Sequence, residues 1–366
     1  MKVLQLCHSY NPPFLSVAKQ YELLLQNSSF EVVTVFLKGE NNKEVLEEMS
    51  GEVIFLNLKT SDLKGLKLKA IKKVREICSK ADYEFCVAQR YKSIYLALHV
   101  KGLYVVGVAH IVDVFNNFFR KIFIKSKKNR LFLLGVSKAI RDDIKHSLPD
   151  YPENNISYLY NSLNYSDLRK ELVEKDKARA FLGLPEDKFI FGNVGRLHEV
   201  KDQETLIRSF GGSYKNMPDS HLVLMGEGKL RRYLEGLVDE LGLSHCVTFT
   251  GMVPDARLYL KAFDCFVLSS KFEGLPVALL EAFAAEIPCI ASRCTGSEEA
   301  IEGVGWSFDV GDAASLSEHM QAVYKLTEDD RLQVQQRINE KVFSEYDVSA
   351  VSSYFKGLPF VSGVSG

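Results

Sequence analysis

The sequence has little that would tie it to a membrane span, a disulfide scaffold or a metal centre. Its apolar runs all fall short of the roughly 18–20 residues that a membrane-spanning helix needs. Seven cysteines are scattered over 366 residues without a Cys-X-X-Cys pair, so we expect buried thiols in a reducing cytoplasm rather than disulfides or zinc ligands. No Asp-X-Asp triplet occurs, and we expect no metal site.

Glycine is also scarce where a dinucleotide fold would need it. None precedes Gly39, and the first predicted strand is followed by the glycine-free loop Ser9–Pro13. The nearest match to Gly-X-Gly-X-X-Gly is Gly226–Arg231, which lacks the third glycine. This weakens the case for an NAD-dependent oxidoreductase.

The net charge is close to zero, but the two halves of the chain differ. Residues 1–165 hold 24 Lys and Arg against 16 Asp and Glu, whereas residues 166–366 hold 22 against 31. An asymmetry of this size indicates that the first half faces an anionic surface.

Short apolar runs alternate with amphipathic stretches along the chain, which predicts parallel sheets covered by helices on both faces. The strands expected in the first half are Val3–Cys7, Val32–Phe36, Val53–Leu56, Phe85–Ala88, Leu103–Ala109, Phe132–Val136 and Ile156–Tyr160. Those expected in the second half are Phe189–Val194, His221–Met225, Val247–Phe249, Cys265–Leu268, Cys289–Ala291 and Trp306–Phe308. Because the pattern runs twice, we predict an α/β fold with two doubly wound, Rossmann-like domains, residues 1–165 and 166–342.

Two loops of the second domain carry unusual polar residues directly after a predicted strand. Gly192 and Gly195 flank the end of the first strand and are expected to let a ligand approach the backbone, and the cations Arg196 and Lys201 follow. Such cations suit phosphate oxygens. The fifth strand is followed by Glu273, by Pro276 at the expected first turn of a helix, and by Glu281.

Four segments around these residues resemble the GT-B glycosyltransferases of the large retaining family 4, which includes lipopolysaccharide-core and polysaccharide enzymes. In chain order they are GRLHEVKD, MGEGKLRRYLEGLVDELGLSHCVTFTGMV, SSKFEGLPVALLEAFAAEIPCIAS and TGSEEAI. The resemblance is strong over residues 190–305 and weaker elsewhere. It implies an N-terminal acceptor-binding and a C-terminal donor-binding domain that face each other across a cleft. A helix at about residues 343–360 would cross back to the first domain.

The resemblance also implies roles for individual residues. Arg196 and Lys201 would hold the diphosphate of a nucleotide-sugar donor, Glu281 the ribose, and Glu273 the donor sugar. His110, which follows a strand of the first domain, would lie near the reacting sugar and complete the catalytic set. The backbone N–H groups of Gly274 and Leu275 would help to hold the sugar, and Gly251, Met252 and Val253 would line the nucleobase. Gly226, with Gly228, would open the interdomain cleft. Gly195 and Pro276 complete the expected donor site.

The predicted function is therefore transfer of a hexose, with retention, from a nucleoside diphosphate sugar to a hydroxyl of a glycan. A UDP-sugar is the favoured donor, and the acceptor is expected to be lipid-linked or part of lipopolysaccharide core, O-antigen or capsule. No cofactor or metal is expected. A nucleotide-sugar epimerase, an NAD-dependent oxidoreductase and a binding module without turnover stay open as alternatives.

A basic, Phe-rich segment favours a membrane partner for the first domain. Residues 115–130, FNNFFRKIFIKSKKNR, hold six Lys or Arg and no Asp or Glu. Such a mixture is typical of a segment lying in the interface of an anionic leaflet, although an amphipathic helix packing its Phe side chains on the sheet is the alternative. We predict a peripheral location on the inner face of the plasma membrane, and no nucleic-acid partner, because no such module is recognisable. The predicted membrane contacts are Phe118, Phe119, Arg120, Lys121, Lys125, Lys127 and Lys128.

Overall fold

The structure, a computed structural model, describes residues 1–11 and 14–362 and divides into two compact units. Unit 1 comprises residues 1–162 and the chain from Val348 onward, and unit 2 comprises Leu163–Asp347. Pro12 and Pro13 of the glycine-free first loop lie outside the described residues. Each unit is described by itself below.

Unit 1 is built on a seven-stranded sheet in which every neighbouring pair is parallel. Its strands are β1 (Lys2–Cys7), β2 (Glu31–Phe36), β3 (Glu52–Phe55), β4 (Cys86–Gln89), β5 (Val105–Ala109), β6 (Leu131–Gly135) and β7 (Ile156–Tyr158). Their order is β3-β2-β1-β4-β5-β6-β7. The central strands are buried along their whole length, as their continuous apolar sequences predict for a sheet covered on both faces.

Eight helices belong to the described part of unit 1. They are α1 (Phe14–Gln26), α2 (Lys43–Glu48), α3 (Leu68–Cys78), α4 (Arg90–Ala97), α5 (Phe118–Lys125) and α6 (Lys138–Ser147), with α15 (Val348–Lys356) and α16 (Pro359–Ser362) from the end of the chain. Phe360 of α16 packs against Phe132 of β6 and against Phe85, which directly precedes β4.

Unit 2 contains a six-stranded parallel sheet. Its strands are β8 (Phe189–Val194), β9 (Ser220–Met225), β10 (Val247–Gly251), β11 (Cys265–Leu268), β12 (Cys289–Ser292) and β13 (Trp306–Phe308), in the order β10-β9-β8-β11-β12-β13. Its helices are α7 (Tyr165–Glu171), α8 (Lys175–Leu182), α9 (Gln203–Ser213), α10 (Arg231–Glu240), α11 (Val277–Ala284), α12 (Thr295–Ile301), α13 (Ala313–Tyr324) and α14 (Glu328–Lys341).

All thirteen predicted strands are present, and their ends differ from the prediction by no more than two residues. The predicted α/β fold with two doubly wound parallel sheets is confirmed. Each sheet also has a topological switch point, where the chain order reverses: between β1 and β4 in unit 1, and between β8 and β11 in unit 2. Ligands of such sheets bind beyond the carboxyl ends of the strands at this point.

Candidate functional site

The switch point of unit 2 brings together two loops that are far apart in the sequence. The loop after β8 meets the loop after β11, where the Lys271 N–H donates to the Val200 carbonyl at 2.7 Å. The Ser269 hydroxyl donates to the Lys201 carbonyl at 2.9 Å. These bonds hold the side chains that follow the two strands at one edge of the sheet.

Lys201 and Glu273 form an ion pair at this edge. Lys201 Nζ lies 2.6 Å from Glu273 Oε1, and the Ser270 hydroxyl donates to the same oxygen at 2.6 Å. The Glu273 side chain is only 13% exposed. Within the described residues, its second oxygen, Oε2, receives no hydrogen bond. One carboxylate oxygen is therefore anchored, and the other retains its acceptor capacity.

Arg196 differs from Lys201 in having no carboxylate partner within residues 1–11 and 14–362. Its side chain is exposed, and among the described residues no carboxylate forms an ion pair with it. Its backbone is fixed, because the Gln203 amide donates to the Arg196 carbonyl at 3.1 Å. Arg196 thus presents an exposed positive charge from a backbone position that is fixed by Gln203.

A side chain is excluded at Gly226 and at Gly192 by different neighbouring groups. Gly226 has φ +147°, and a Cβ there would overlap the Gly195 carbonyl oxygen, so a side chain would separate the ends of β8 and β9. The expectation that Gly192 admits a ligand is wrong. The ring of Phe263 occupies the space that a Cβ at Gly192 would take.

Helix α11 begins one residue later than predicted. Pro276 has ψ 100° and is the N-cap residue, and its carbonyl accepts from the Leu279 and Leu280 N–H groups. The expectation that Pro276 forms part of the first turn is therefore wrong. Gly274 and Leu275 lie just before the cap, and the Gly296 N–H of α12 donates to the Glu273 carbonyl at 3.0 Å.

Glu281 is a largely buried carboxyl on α11. Burial raises its pKa to about 7, and the nearby Arg257 charge offsets this only in part. No side chain or backbone group in the described part of the chain donates a hydrogen bond to it. A carboxylate held in this way is stabilised by any ligand that donates hydrogen bonds to it.

The segment expected at the nucleobase lies at the end of β10. Gly251 has φ +74°, and the pairing with β9 shifts register between Phe249 and Gly251. Met252 is 80% exposed in the loop that follows. The Arg231 guanidinium lies over the Phe249 ring, 4.8 Å from its centroid, which fixes the strand end beside this loop.

His110 directly follows β5 in unit 1 and lines a cavity of that unit. Its Nε2 is 2.8 Å from the Gln89 amide oxygen. Because that oxygen can only accept, Nε2 carries the proton and Nδ1 presents a lone pair. Burial, with a smaller contribution from Arg90, lowers the pKa of His110 to about 3, so the ring is neutral at physiological pH.

The basic segment folds as α5, and its Phe side chains divide between two environments. Phe118 and Phe119 are 68% and 76% exposed, whereas Phe123 packs against Tyr95 and His99. The Asn117 side chain caps the helix by accepting from the Phe119 and Arg120 N–H groups.

The cations of this segment are not as unopposed as the local sequence indicates. Lys125 pairs with Asp150 at 2.7 Å, an acid that lies outside the segment. Arg130 donates to the carbonyls of Val100 and Leu103. Lys121, Lys127 and Lys128 form no ion pair with a described carboxylate.

The described residues contain neither a candidate metal-binding cluster nor a candidate membrane-spanning helix. Across residues 1–11 and 14–362, no three His, Cys, Asp or Glu side chains gather in a way that could hold a metal ion. No helix in this part of the chain combines the length and the apolar character that crossing a bilayer requires.

Sequence reasoning missed several residues that the fold brings to these sites. Ser270 anchors Glu273, and Gln89 and His8 line the cavity beside His110. His8 and Gln89 directly follow a predicted strand, and Ser270 is the second residue after one, so their positions near the sheet edges could be predicted from the sequence. The side-chain contacts depend on the strand order.

Comparison with known proteins identifies a family domain in unit 2. Residues 174–342 match the family model described as glycosyl transferases group 1. An uncharacterised glycosyltransferase of Methanocaldococcus jannaschii is 24% identical over 315 residues, covering 78% of this chain and 73% of the relative. The lipopolysaccharide core biosynthesis glycosyltransferase LpsD of Rhizobium meliloti is 36% identical over 157 residues. That alignment spans 42% of this chain and less than half, 44%, of LpsD.

A solved structure covers the whole chain. Anabaena HepE, determined in complex with UDP, superposes over 100% of both chains with a TM-score of 0.80 and 18% identity. At this identity the likeness shows the fold. The chain is therefore a glycosyltransferase of the GT-B fold, and its C-terminal unit carries the group 1 glycosyl transferase domain.

Proposed function

We propose that the protein transfers a hexose from a nucleoside diphosphate sugar, UDP-sugar being favoured, to a glycan hydroxyl with retention of anomeric configuration. The observation that carries this is the Lys201–Glu273 ion pair beside the exposed Arg196 at the switch point of unit 2. A donor has a diphosphate for the cations and sugar hydroxyls for the free carboxylate oxygen. The UDP bound by HepE supports the choice of base.

Arg196 and Lys201 would act on the leaving group. As the bond from the sugar C1 to the diphosphate breaks, its electron pair stays on the diphosphate, and a bond forms between C1 and the acceptor oxygen. The acceptor proton leaves with the products. Preorganised cations stabilise the charge that develops on the diphosphate, and Lys201 has two N–H donors beyond the one directed at Glu273.

The other donor-site residues would position the sugar, ribose and base. Glu273 Oε2, with the backbone of Gly274 and Leu275, would accept from or bind the sugar hydroxyls. Glu281 would accept hydrogen bonds from the ribose, and Gly251, Met252 and Val253 would line the base. In unit 1, His110 would lie near the reacting sugar.

We propose a lipid-linked or surface glycan acceptor at an anionic membrane. The name of LpsD, a lipopolysaccharide core glycosyltransferase, supports the acceptor class. The exposed Phe118 and Phe119 beside Lys121 support membrane contact. Peripheral association with the inner face of the plasma membrane follows from this proposal.

Hydrolysis of the donor tests the chemistry without a known acceptor. The protein is incubated with UDP-, GDP- and ADP-glucose, with and without excess chelator, and followed by proton NMR. We expect release of UDP, unaffected by chelator, with the α anomer of glucose appearing first. Release of β-glucose would contradict retention. Conversion of the sugar while still attached to the nucleotide would instead identify an epimerase.

A further inference from the structure

Unit 1 contains a cavity of about 440 Å³, and of its lining residues only His110 has a role in the proposed transfer. It lies at the switch point between β1 and β4, where a ligand of a doubly wound sheet is expected. Its volume falls within the range of small-molecule sites. The polar side chains that define it are His8, Gln89, Arg90, Lys92, His110 and Arg120.

Three cations line this cavity and are not neutralised by an ion pair with a described residue. Within the described residues, Arg90, Lys92 and Arg120 form no ion pair. Arg90 and Arg120 are held instead by aromatic rings, each guanidinium lying 4.4 Å from a ring centroid, over Phe14 and Tyr91 respectively. Such stacking orients the planar fork and leaves its charge unneutralised.

The buried polar atoms of the cavity also lack partners. Gln89 is 3% exposed. Its amide oxygen bonds His110, whereas its amide nitrogen has no acceptor among the described residues. His8 Nδ1 is buried and has no partner either. Burial, followed by the charges of Lys92, Lys38 and Arg90, lowers the pKa of His8 to about 4, so His8 adds no positive charge at neutral pH.

Donors therefore outnumber acceptors at this site. The acid among the lining residues is Asp113, which is exposed and accepts a hydrogen bond from the Asn116 amide. A neutral sugar would leave the three cations unmatched, whereas a phosphoryl group offers several acceptor oxygens and negative charge. Gln89 is also the N-cap residue of α4, but its side chain does not cap the helix. The dipole at the N-terminus of α4 therefore also favours a negatively charged ligand.

We propose that this cavity binds a phosphate or diphosphate group carried by the glycosyl acceptor. The inference rests on the proposed function, since it names the acceptor class of the same enzyme. Arg90 and Lys92 contact the phosphoryl oxygens, Gln89 donates from the floor of the cavity, and Arg120 closes its side. A lipid-linked diphosphate sugar and a soluble sugar phosphate share this chemistry.

The test measures binding to the full-length protein by calorimetry, with the donor site first saturated by UDP. The probes are glucose 1-phosphate, geranyl diphosphate and glucose. We expect both phosphorylated probes to bind and glucose to bind far more weakly. The double variant Arg90→Ala/Lys92→Ala should weaken phosphate binding by about 100-fold, as two lost charge-assisted bonds imply. Tighter binding of geranyl diphosphate would identify a lipid-linked acceptor, and tighter binding of glucose 1-phosphate a soluble one.

Controls separate this inference from the donor site. Lys101→Ala removes an exposed cation of unit 1 outside the cavity and should change nothing. UDP affinity should be unchanged in the double variant, and the single change Lys92→Gln at an exposed position guards against misfolding. Equal affinity for glucose and glucose 1-phosphate, no binding of either phosphate probe, or unchanged binding in both variants would overturn the inference. Absence of UDP binding would instead count against the proposed function.

Discussion

Among the proposed donor-site residues, Glu281 is the one whose protonation is expected to change near neutral pH, because burial raises its pKa. Its pKa of about 7, raised by burial, means that it is about half protonated at neutral pH in the unliganded protein. Ribose hydroxyls that donate to the carboxylate would stabilise the charged form and lower this pKa. Donor binding and proton release are therefore coupled.

We predict that UDP binding at pH 7 releases about half a proton, and that UDP affinity rises with pH up to about 7 and then levels off. The measurement is calorimetry in buffers of different ionisation enthalpy. Glu281→Gln should bind more weakly and release no proton. Proton uptake by the wild type, or identical release by the variant, would contradict the ribose role.

The same variant tests the burial of Glu281 in the unliganded protein. A carboxyl whose pKa is raised in the folded state lowers the free energy of unfolding of the protein as pH rises. Here the loss runs from pH 4.5, the ordinary pKa of the group, to about pH 7. Glu281→Gln should then be the more stable protein above pH 7, by up to about 3 kcal/mol, and the difference should vanish below pH 4.5. Denaturant melts at pH 4 and pH 8 measure both.

Arg196 and Lys201 should respond differently to truncation. Arg196 is exposed and unpaired among the described residues, so Arg196→Ala should leave the Tm nearly unchanged and lower kcat/KM by about 10²–10³. Lys201→Ala should lose activity similarly but also lower the Tm, because the Glu273 carboxylate is left without its partner.

The matched control is Lys215→Ala, which removes an exposed cation elsewhere in unit 2 and should affect neither quantity. If Lys201→Ala retained kcat/KM within about threefold while losing stability, the ion pair would be purely structural, since removing a needed donor costs about 10²–10³.

At the residue scale, the sequence singled out Lys201 and Glu273 as site candidates but did not predict that they form an ion pair. Lys201 and Glu273 are 72 residues apart. Their contact follows from β8 and β11 being neighbours, and the strand order does not follow from apolar periodicity. The role expected of Gly192 failed for a similar reason, because Phe263 is brought to it only by the fold.

At the scale of single elements, helix α5 exposes large apolar side chains beside cations. Phe118 and Phe119 point to a shallow apolar insertion, and three cations without ion pairs among the described carboxylates, Lys121, Lys127 and Lys128, lie on or after the same helix. Each contributes about 1 kcal/mol near an anionic leaflet. Charge alone therefore gives weak, reversible binding, and the Phe side chains must add to it.

We predict that the protein co-sediments with anionic but not with neutral vesicles. Phe118→Ser/Phe119→Ser should abolish this, whereas Leu332→Ser, at an exposed apolar position of α14 in unit 2, should not. Binding that is equal for both kinds of vesicle, or absent from both, would end the membrane proposal.

Elements were predicted well where one signal dominates. The strands are continuous apolar runs, and burial on both faces leaves such a run few alternatives. The start of α11 was misplaced by one residue because Pro276 satisfies two positions, and only its ψ angle identifies it as the cap. On α5, periodicity did not distinguish Phe118, which is exposed, from Phe123, which packs on Tyr95.

At the scale of the whole molecule, the two units have complementary chemistry. Unit 2 has cations and carboxylates close together at its switch point, as a ligand with both phosphates and hydroxyls requires. At the corresponding point of unit 1, the cations Arg90, Lys92 and Arg120 outnumber the acid, Asp113.

The most direct test of the central claim is the thermal shift caused by UDP, GDP, ADP and NAD, measured with wild type and Glu281→Ala. A ligand at 100 times its Kd stabilises the folded state by about 2.7 kcal/mol, and each kcal/mol raises the Tm by roughly 2–4 °C. The account predicts that UDP raises the Tm of the wild type by several degrees and that Glu281→Ala loses this shift. A shift with NAD alone would contradict it.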